Sequence, residues 1–173
     1  KVAASFLGDL AKSFDEVVHL VLPDDGEVVY IDKREGSQLV SMHSKVGRRA
    51  PMHCTAVGKA ILSTLPEDEV RQILKTKGMP GFTQKTITDP DVLITQLVEF
   101  KEKGYALEAE ENEIGILCLG TPIFDYSGRA IAAISVSGPI NRMKDKGIER
   151  MGEEIRRAAL DISAKMGYYY RQN

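Results

Sequence analysis

Several features are missing from this sequence, and each absence narrows what the chain can do. It has no run of about 18 or more apolar residues, so no helix able to cross a bilayer is expected, and no membrane partner. No basic, apolar and small-residue leader pattern is present, and neither an internal repeat nor a low-complexity tract interrupts the chain. Charge of one sign is not in excess: 23 Lys and Arg stand against 25 Asp and Glu, a net charge of -2. That balance creates no field to gather nucleic acid or anionic lipid, so the chain by itself is not expected to bind DNA. Cysteine is scarce as well. Cys54 and Cys118 lie more than sixty positions apart, which makes neither a disulfide framework nor the paired spacing of a structural zinc site. Free thiols in a reducing, cytoplasmic compartment are expected, with no metal and no cofactor.

At 173 residues the chain is long enough for one domain with a sizeable core. The first residue falls within a helical pattern and no initiator Met is present, as expected of a piece of a longer protein. Val2, Ala3, Phe6, Leu7, Leu10 and Phe14 recur at helical spacing, which predicts an amphipathic helix from Lys1 to about Ser13. Glu16 to Leu22 and Glu27 to Lys33 are rich in Val, Ile and Tyr, with Pro23-Asp24-Asp25-Gly26 as the turn of a first hairpin. Alternation over Gln38 to Lys45 predicts a short strand leading to the basic turn Gly47-Arg48-Arg49. Thr55 is placed to cap a helix, and Pro66-Glu67-Asp68-Glu69 opens another that stops near Gly78. Met79 to Thr88 reads as an exposed loop. Asp89-Pro90 opens a helix ending at Lys103-Gly104, Tyr105 to Glu108 is a short strand, and Asp145 to about Met166 is a closing helix. Strands framed by helices at both ends predict an α+β domain.

The most telling stretch runs from Glu108 to Pro139. Ile114 to Phe124 and Ala130 to Ser137 alternate on either side of Asp125-Tyr126-Ser127-Gly128, which predicts a hairpin. A four-residue loop would set Phe124 opposite Arg129, Cys118 opposite Ser135 and Ile116 opposite Ser137. One face then carries Cys118, Gly120, Ala133, Ser135 and Ser137, and the other Leu117, Leu119, Ala132, Ile134 and Val136. The small, weakly polar face either leaves room for a ligand or lets a helix pack closely. The Thr55 helix supplies a complementary feature: its first backbone N–H groups, at Ala56, Val57 and Gly58, favour an anion such as a carboxylate. Gly58 would let a ligand or a neighbouring backbone come close. Lys59 lacks the surrounding glycines of a phosphate loop.

Other constellations are weaker. Glu108, Glu110, Glu111 and Glu113 suit acid-base chemistry, a metal or only a solvated loop, with Glu108 best placed to point inward. Cys118 as a nucleophile needs a base and a lowered pKa, and none of His19, His43 and His53 is near it in sequence. His53 and Cys54 are adjacent and make a poor chelating pair.

Taken in order, Pro51-Met52-His53 to Ala60, Glu110-Glu111 to Cys118, Pro122-Ile123-Phe124-Asp125 and Ala132 to Pro139 resemble the effector-binding domain of IclR-type bacterial transcriptional regulators, from about Phe14 to Gly167. The resemblance implies a GAF-like, profilin-like α+β fold: a curved antiparallel sheet flanked by helices. It implies that residues 1–13 end an interdomain linker helix and residues 14–173 form the effector-binding domain. A winged helix-turn-helix domain would lie upstream and make the DNA contact. It also implies a non-enzymatic protein that forms a homodimer or homotetramer. Its ligand would be a small carboxylate, an organic acid or a sugar-acid-like metabolite. The lining it implies is Leu39, Met42, Ala56, Val57, Gly58, Glu108, Ile116, Cys118, Ser135 and Ser137, with Glu108 where many relatives have Asp. Two other readings stand beside it: a GAF-like thiol enzyme using Cys118 with Cys54 as resolving thiol, and a purely structural dimerisation module.

Overall fold

The computed structural model describes residues 2–37 and 44–169. Helix α1 (Ala4–Phe14) buries Leu7, Leu10, Ala11 and Phe14 on one stripe and ends at Asp15 in the left-handed conformation. Strands β1 (Val17–Asp24) and β2 (Glu27–Arg34) form the first hairpin. Its turn is tighter than the four-residue one expected. Asp24 pairs with Glu27, and only Asp25 and Gly26 lie between, both with positive φ, the geometry that matches the twist of paired strands.

The predicted strand Gln38 to Lys45 falls largely outside the described residues, and Ser44 and Lys45 are not in a strand. A three-residue strand, β3 (Arg49–Pro51), pairs with β2 instead and takes Arg49 out of the predicted basic turn. Three residues ending in Pro are too few for alternation to signal, and Pro51 is tolerated because the strand lies at the sheet edge.

The middle of the chain follows its local signals. Thr55 caps α2 (Ala56–Leu62) through Oγ1, which accepts from the Gly58 N–H at 3.2 Å. Helix α3 (Glu67–Lys77) has three acids in its first turn and stops at Gly78. Helix α4 (Pro90–Lys103) is capped by Asp89 and ends at Gly104 with positive φ. Strands β4 (Ala106–Ala109), β5 (Ile116–Phe124) and β6 (Ala130–Pro139) follow. The closing helix is two helices, α5 (Ile140–Lys146) and α6 (Ile148–Lys165), broken at Gly147 with φ +91°. That positive φ lies outside the helical region, so the apolar stripe from Ile148 starts after the break.

The six strands form one curled antiparallel sheet in the order β3-β2-β1-β6-β5-β4. One face packs Leu117, Leu119, Ile134 and Val136 against α1, α5 and α6. The other packs Val21, Val28, Ala106 and Ala133 against α2, α3 and α4. This is the expected α+β, GAF-like arrangement.

The β5–β6 register differs from expectation by two residues. Cys118 lies opposite Ser137 and Gly120 opposite Ser135. The loop takes one residue more, with Phe124 opposite Ala130, and a bulge between Ile123 and Phe124 takes another. Two single-residue slips restore the parity of the strand, so the side chains stay on the faces assigned to them.

Candidate functional site: a cavity between α2 and the β5–β6 floor

Gly120 sets how closely α2 approaches the sheet. A Cβ there would lie 2.6 Å from the carbonyl carbon and oxygen of Ala56, so only glycine admits the first turn of the helix. Gly58 has the same role on the other side of α2, where a Cβ would lie 2.3 Å from Cα of Met52. Gly58 therefore serves the packing of α2 on Met52 and does not line the cavity described next. Its amide is already engaged by Thr55.

Beside Gly120 the small face opens into a cavity of about 260 Å³. Cys118, Ser135 and Ser137 form its floor, Ala56 and Val57 one wall, and Glu108 and Ile116 another. Seven of the ten residues expected from the sequence thus meet at one concavity. Gly58 is behind it, and Leu39 and Met42 lie outside the described residues. Both readings of the small face hold at different positions: Gly120 and Ala133 admit the helix, while Cys118, Ser135 and Ser137 face open space.

The four glutamates of the acidic run have four distinct environments. Glu111 reaches inward, and both its oxygens accept from Nζ of Lys59, at 2.6 and 2.7 Å. Lys59 is fully buried and also donates to Gln96 at 2.8 Å. Lys59, which lacks the surroundings of a phosphate loop, is the clamp that ties the acidic loop to α2. Glu110, with φ +58°, accepts from the Gly115 N–H and pairs with Lys85. Thr83 and Thr86 donate to main-chain carbonyls of the acidic loop, so the segment 79–88, although largely exposed, braces it. Glu113 stands at the cavity wall.

Glu108 is the acid inside the cavity. It is 3 % exposed, and one oxygen accepts from the Glu111 N–H at 3.1 Å. Burial pushes its pKa up to about 8, against the pull of that N–H, and the Glu111 charge adds to the rise. At neutral pH it is largely a protonated acid that can donate as well as accept.

The opposite wall brings residues that no local pattern connects to the site. His19 lies across the β1–β6 pair from Ser135, with Nδ1 at 3.3 Å from the Ser135 hydroxyl and Nε2 at 2.7 Å from that of Ser44. Its burial, with a smaller push from Lys33, lowers its pKa to about 4, so it is neutral. Tyr30 packs edge-on to His19 at 5.1 Å, and burial raises its phenol pKa. Arg48 and Arg49 stand at the same concavity; Arg49 also bonds Asp24 and Glu27. His19 and Tyr30 sit mid-strand among apolar residues, and strand pairing alone brings them here. The one hint was that polar side chains at those positions needed buried partners.

The thiols are not activated. Burial pushes Cys54 up to about 12 and Cys118 well above the ordinary range, and Cys54 lies 3.6 Å from Oδ1 of Asn112. His53 is committed to the Pro80 carbonyl at 2.9 Å. Among the described residues no three His, Cys, Asp or Glu side chains form a group able to hold a metal ion. No described helix is long and apolar enough to cross a membrane.

Comparison with known proteins agrees with this fold. The family model for the C-terminal domain of bacterial transcriptional regulator IclR matches residues 1–164. The chain belongs to the IclR family. Among curated IclR relatives, XynR of Escherichia coli K12 is 35% identical over 96% of this chain and 66% of its own length. KdgR of the same organism is 36% identical over 93% of this chain and 61% of its own length. The chain thus spans less than two-thirds of the length of these relatives. Among IclR structures, that of Thermotoga maritima IclR superposes with a TM-score of 0.93 at 42% identity, covering 96% of this chain and 68% of that one. The inducer binding domain of Acinetobacter PobR, a double mutant in complex with 3-hydroxybenzoic acid, has a TM-score of 0.85 at 28% identity, covering 94% and 95%. The IclR relatives are transcriptional regulators, which sets the thiol-enzyme reading aside.

Proposed function

We propose that this chain is the effector-sensing part of an IclR-family regulator and binds a small carboxylate metabolite, an organic acid or sugar-acid-like compound, between α2 and the β5–β6 floor. The observation that carries this reading is the meeting, in one cavity of about 260 Å³, of the first turn of α2 with the hydroxyl and thiol floor of Ser135, Ser137 and Cys118. The carboxylate docks at the amides of Ala56 and Val57, where the helix dipole and the nearby Arg48 and Arg49 favour negative charge. Ser135 and Ser137 bond the same group or its neighbour. Glu108, carrying a proton, reads a hydroxyl or carbonyl further along, and Ile116 supplies apolar contact. Leu39 and Met42 complete the lining in this reading. That PobR's domain holds a hydroxylated aromatic acid supports the ligand class.

In the whole protein, residues 1–13 would end a linker helix, residues 14–173 would form the sensor, and an upstream winged helix-turn-helix domain would contact DNA in the cytoplasm. The sensor would assemble as a homodimer or homotetramer. A ligand changes DNA affinity only by favouring one quaternary arrangement over another, so its effect is a difference of affinities between two states.

The test is thermal-shift screening of keto, hydroxy and sugar acids against the chain, followed by calorimetry on Ser135→Ala and Glu108→Gln. An acid that stabilises the protein should lose about tenfold in affinity, or about 1.4 kcal/mol, in each variant. Equal binding to both variants and the parent would overturn the assignment of the site. A structural dimerisation module would show no stabilising acid at all.

A further inference from the structure

Helix α2 lends its first turn to the effector cavity and its last turn to a second concavity. This second cavity is about 340 Å³ and is closed by the C-terminal ends of α2 and α4, by β5 and by α6. Its walls are aromatic: Phe100, Tyr105, Phe124 and Tyr168 line it, and Tyr168 stacks on Phe124 with ring centroids 4.9 Å apart. That stack sets Tyr168 as one side of the cavity.

The polar lining has a definite sign. The hydroxyls of Ser63, Thr64 and Thr121 donate to the carbonyls of Ala60, Ile61 and Gly104, at 2.7, 2.7 and 2.9 Å, so their protons are committed to the fold. The charged lining residues are Lys101 and Arg156, and none of the residues lining this cavity carries a carboxylate. The aliphatic stem of Arg156 lies over Gly104, where a Cβ would come within 2.5 Å of its Cδ, so packing holds that side chain at the rim. Its guanidinium shares Glu153 at 3.2 Å on the exposed side. Lys101 has no ion-pair partner among the described residues. The effector cavity, by contrast, includes Glu108 and Glu113 in its lining.

We propose that this second cavity is a binding site for a single-ring aromatic carboxylate, with the ring between the aromatic walls and the carboxylate at Lys101 and Arg156. The aromatic lining favours a flat apolar body, and Lys101, with Arg156 beside it and no acid in the lining, selects the charge. The site is separate from the effector cavity and does not depend on what that cavity binds.

Benzoate is the probe, titrated into the 15N-labelled chain with amide shifts followed, and benzylamine is the charge-reversed control. Saturable shifts are expected at Gly104, Thr121 and Gly128, with affinity reduced at least fivefold in Lys101→Gln and in Arg156→Gln. Lys101 is exposed in the last turn of α4, so its variant keeps the fold, and any response at Val57 and Ser137 reports the effector cavity separately. Benzylamine should bind much more weakly. Shifts confined to the Val57 and Ser137 region would overturn the proposal. So would non-saturating shifts, unchanged affinity in both variants, or benzylamine binding as tightly as benzoate.

Discussion

Two buried carboxylates on opposite faces of the sheet show how this domain separates scaffold from site. Glu16, just after α1, is 1 % exposed and pinned by two cations of α5. Arg142 donates to it from Nε and Nη2, the latter at 2.7 Å, and Lys146 bonds it at 2.9 Å while also donating to the Phe14 carbonyl. A Cβ on Gly138 would strike its Oε2 at 2.4 Å, so β6 is shaped around the ion cluster. Glu108 is buried nearly as deeply, yet it has one backbone N–H as its hydrogen-bond donor and holds a proton in place of a cation partner. Burial of a charge is costly unless it is paired. Where the fold needs only rigidity the charge is paired, and where a ligand is to be read the acid is left with capacity to spare. Glu111, three residues from Glu108, follows the first pattern through Lys59.

The sharpest way to break this contrast is to strip a paired acid of its partner. Lys59→Met leaves Glu111 buried and uncompensated, and a loss of about 3–5 kcal/mol is expected in urea unfolding, with Glu16→Gln toward the lower end because Arg142 and Lys146 are partly solvated. If Glu108→Gln at pH 7 cost as much as either, the distinction between paired and proton-bearing acids would fail.

The next effect is smaller and depends on pH. Because the folded-state pKa of Glu108 lies above its ordinary value of 4.5, its stabilising contribution is complete below about 4.5 and is lost as pH rises toward about 8, where the folded form also ionises. The difference in unfolding free energy between parent and Glu108→Gln should therefore shift by on the order of a few kcal/mol between those limits, in favour of the variant at the alkaline end. A flat difference would mean the acid is already ionised in the cavity.

The smallest effect is on the acid side. His19 is neutral in the fold, so stability is present above its ordinary pKa of 6.5 and declines as pH falls toward about 4. His19→Gln should remove part of that acid sensitivity, about 1–2 kcal/mol as read from midpoints between pH 7 and pH 5. An unchanged acid limb would show that the imidazole accepts its proton without strain on Ser44 or Ser135.

Much of this was legible in the chain. The Thr55 cap, the acidic start of α3, Asp89-Pro90 ahead of α4 and the two faces of the β5–β6 hairpin all follow from local chemistry, because capping and side-chain alternation are settled within a few residues. The exact register was not legible: a longer loop and a bulge each add one residue, and only their sum preserves the faces. Nor was the division of labour among Glu108, Glu110, Glu111 and Glu113, which have similar sequence surroundings and differ in what the fold sets beside them. Nothing nearby in sequence shows that the partner of Lys59 lies more than fifty residues away.

The sequence by itself determined most of the elements, the small polar face of the hairpin and the family, since these rest on local periodicity and an ordered set of motifs. The tertiary structure decided which acid is paired and which keeps its proton, that His19 and Tyr30 join the cavity wall, and that Gly58 serves packing. Burial and cross-strand pairing set those outcomes. Both are properties of what surrounds a residue in space, and they become defined only once the sheet has closed around α2.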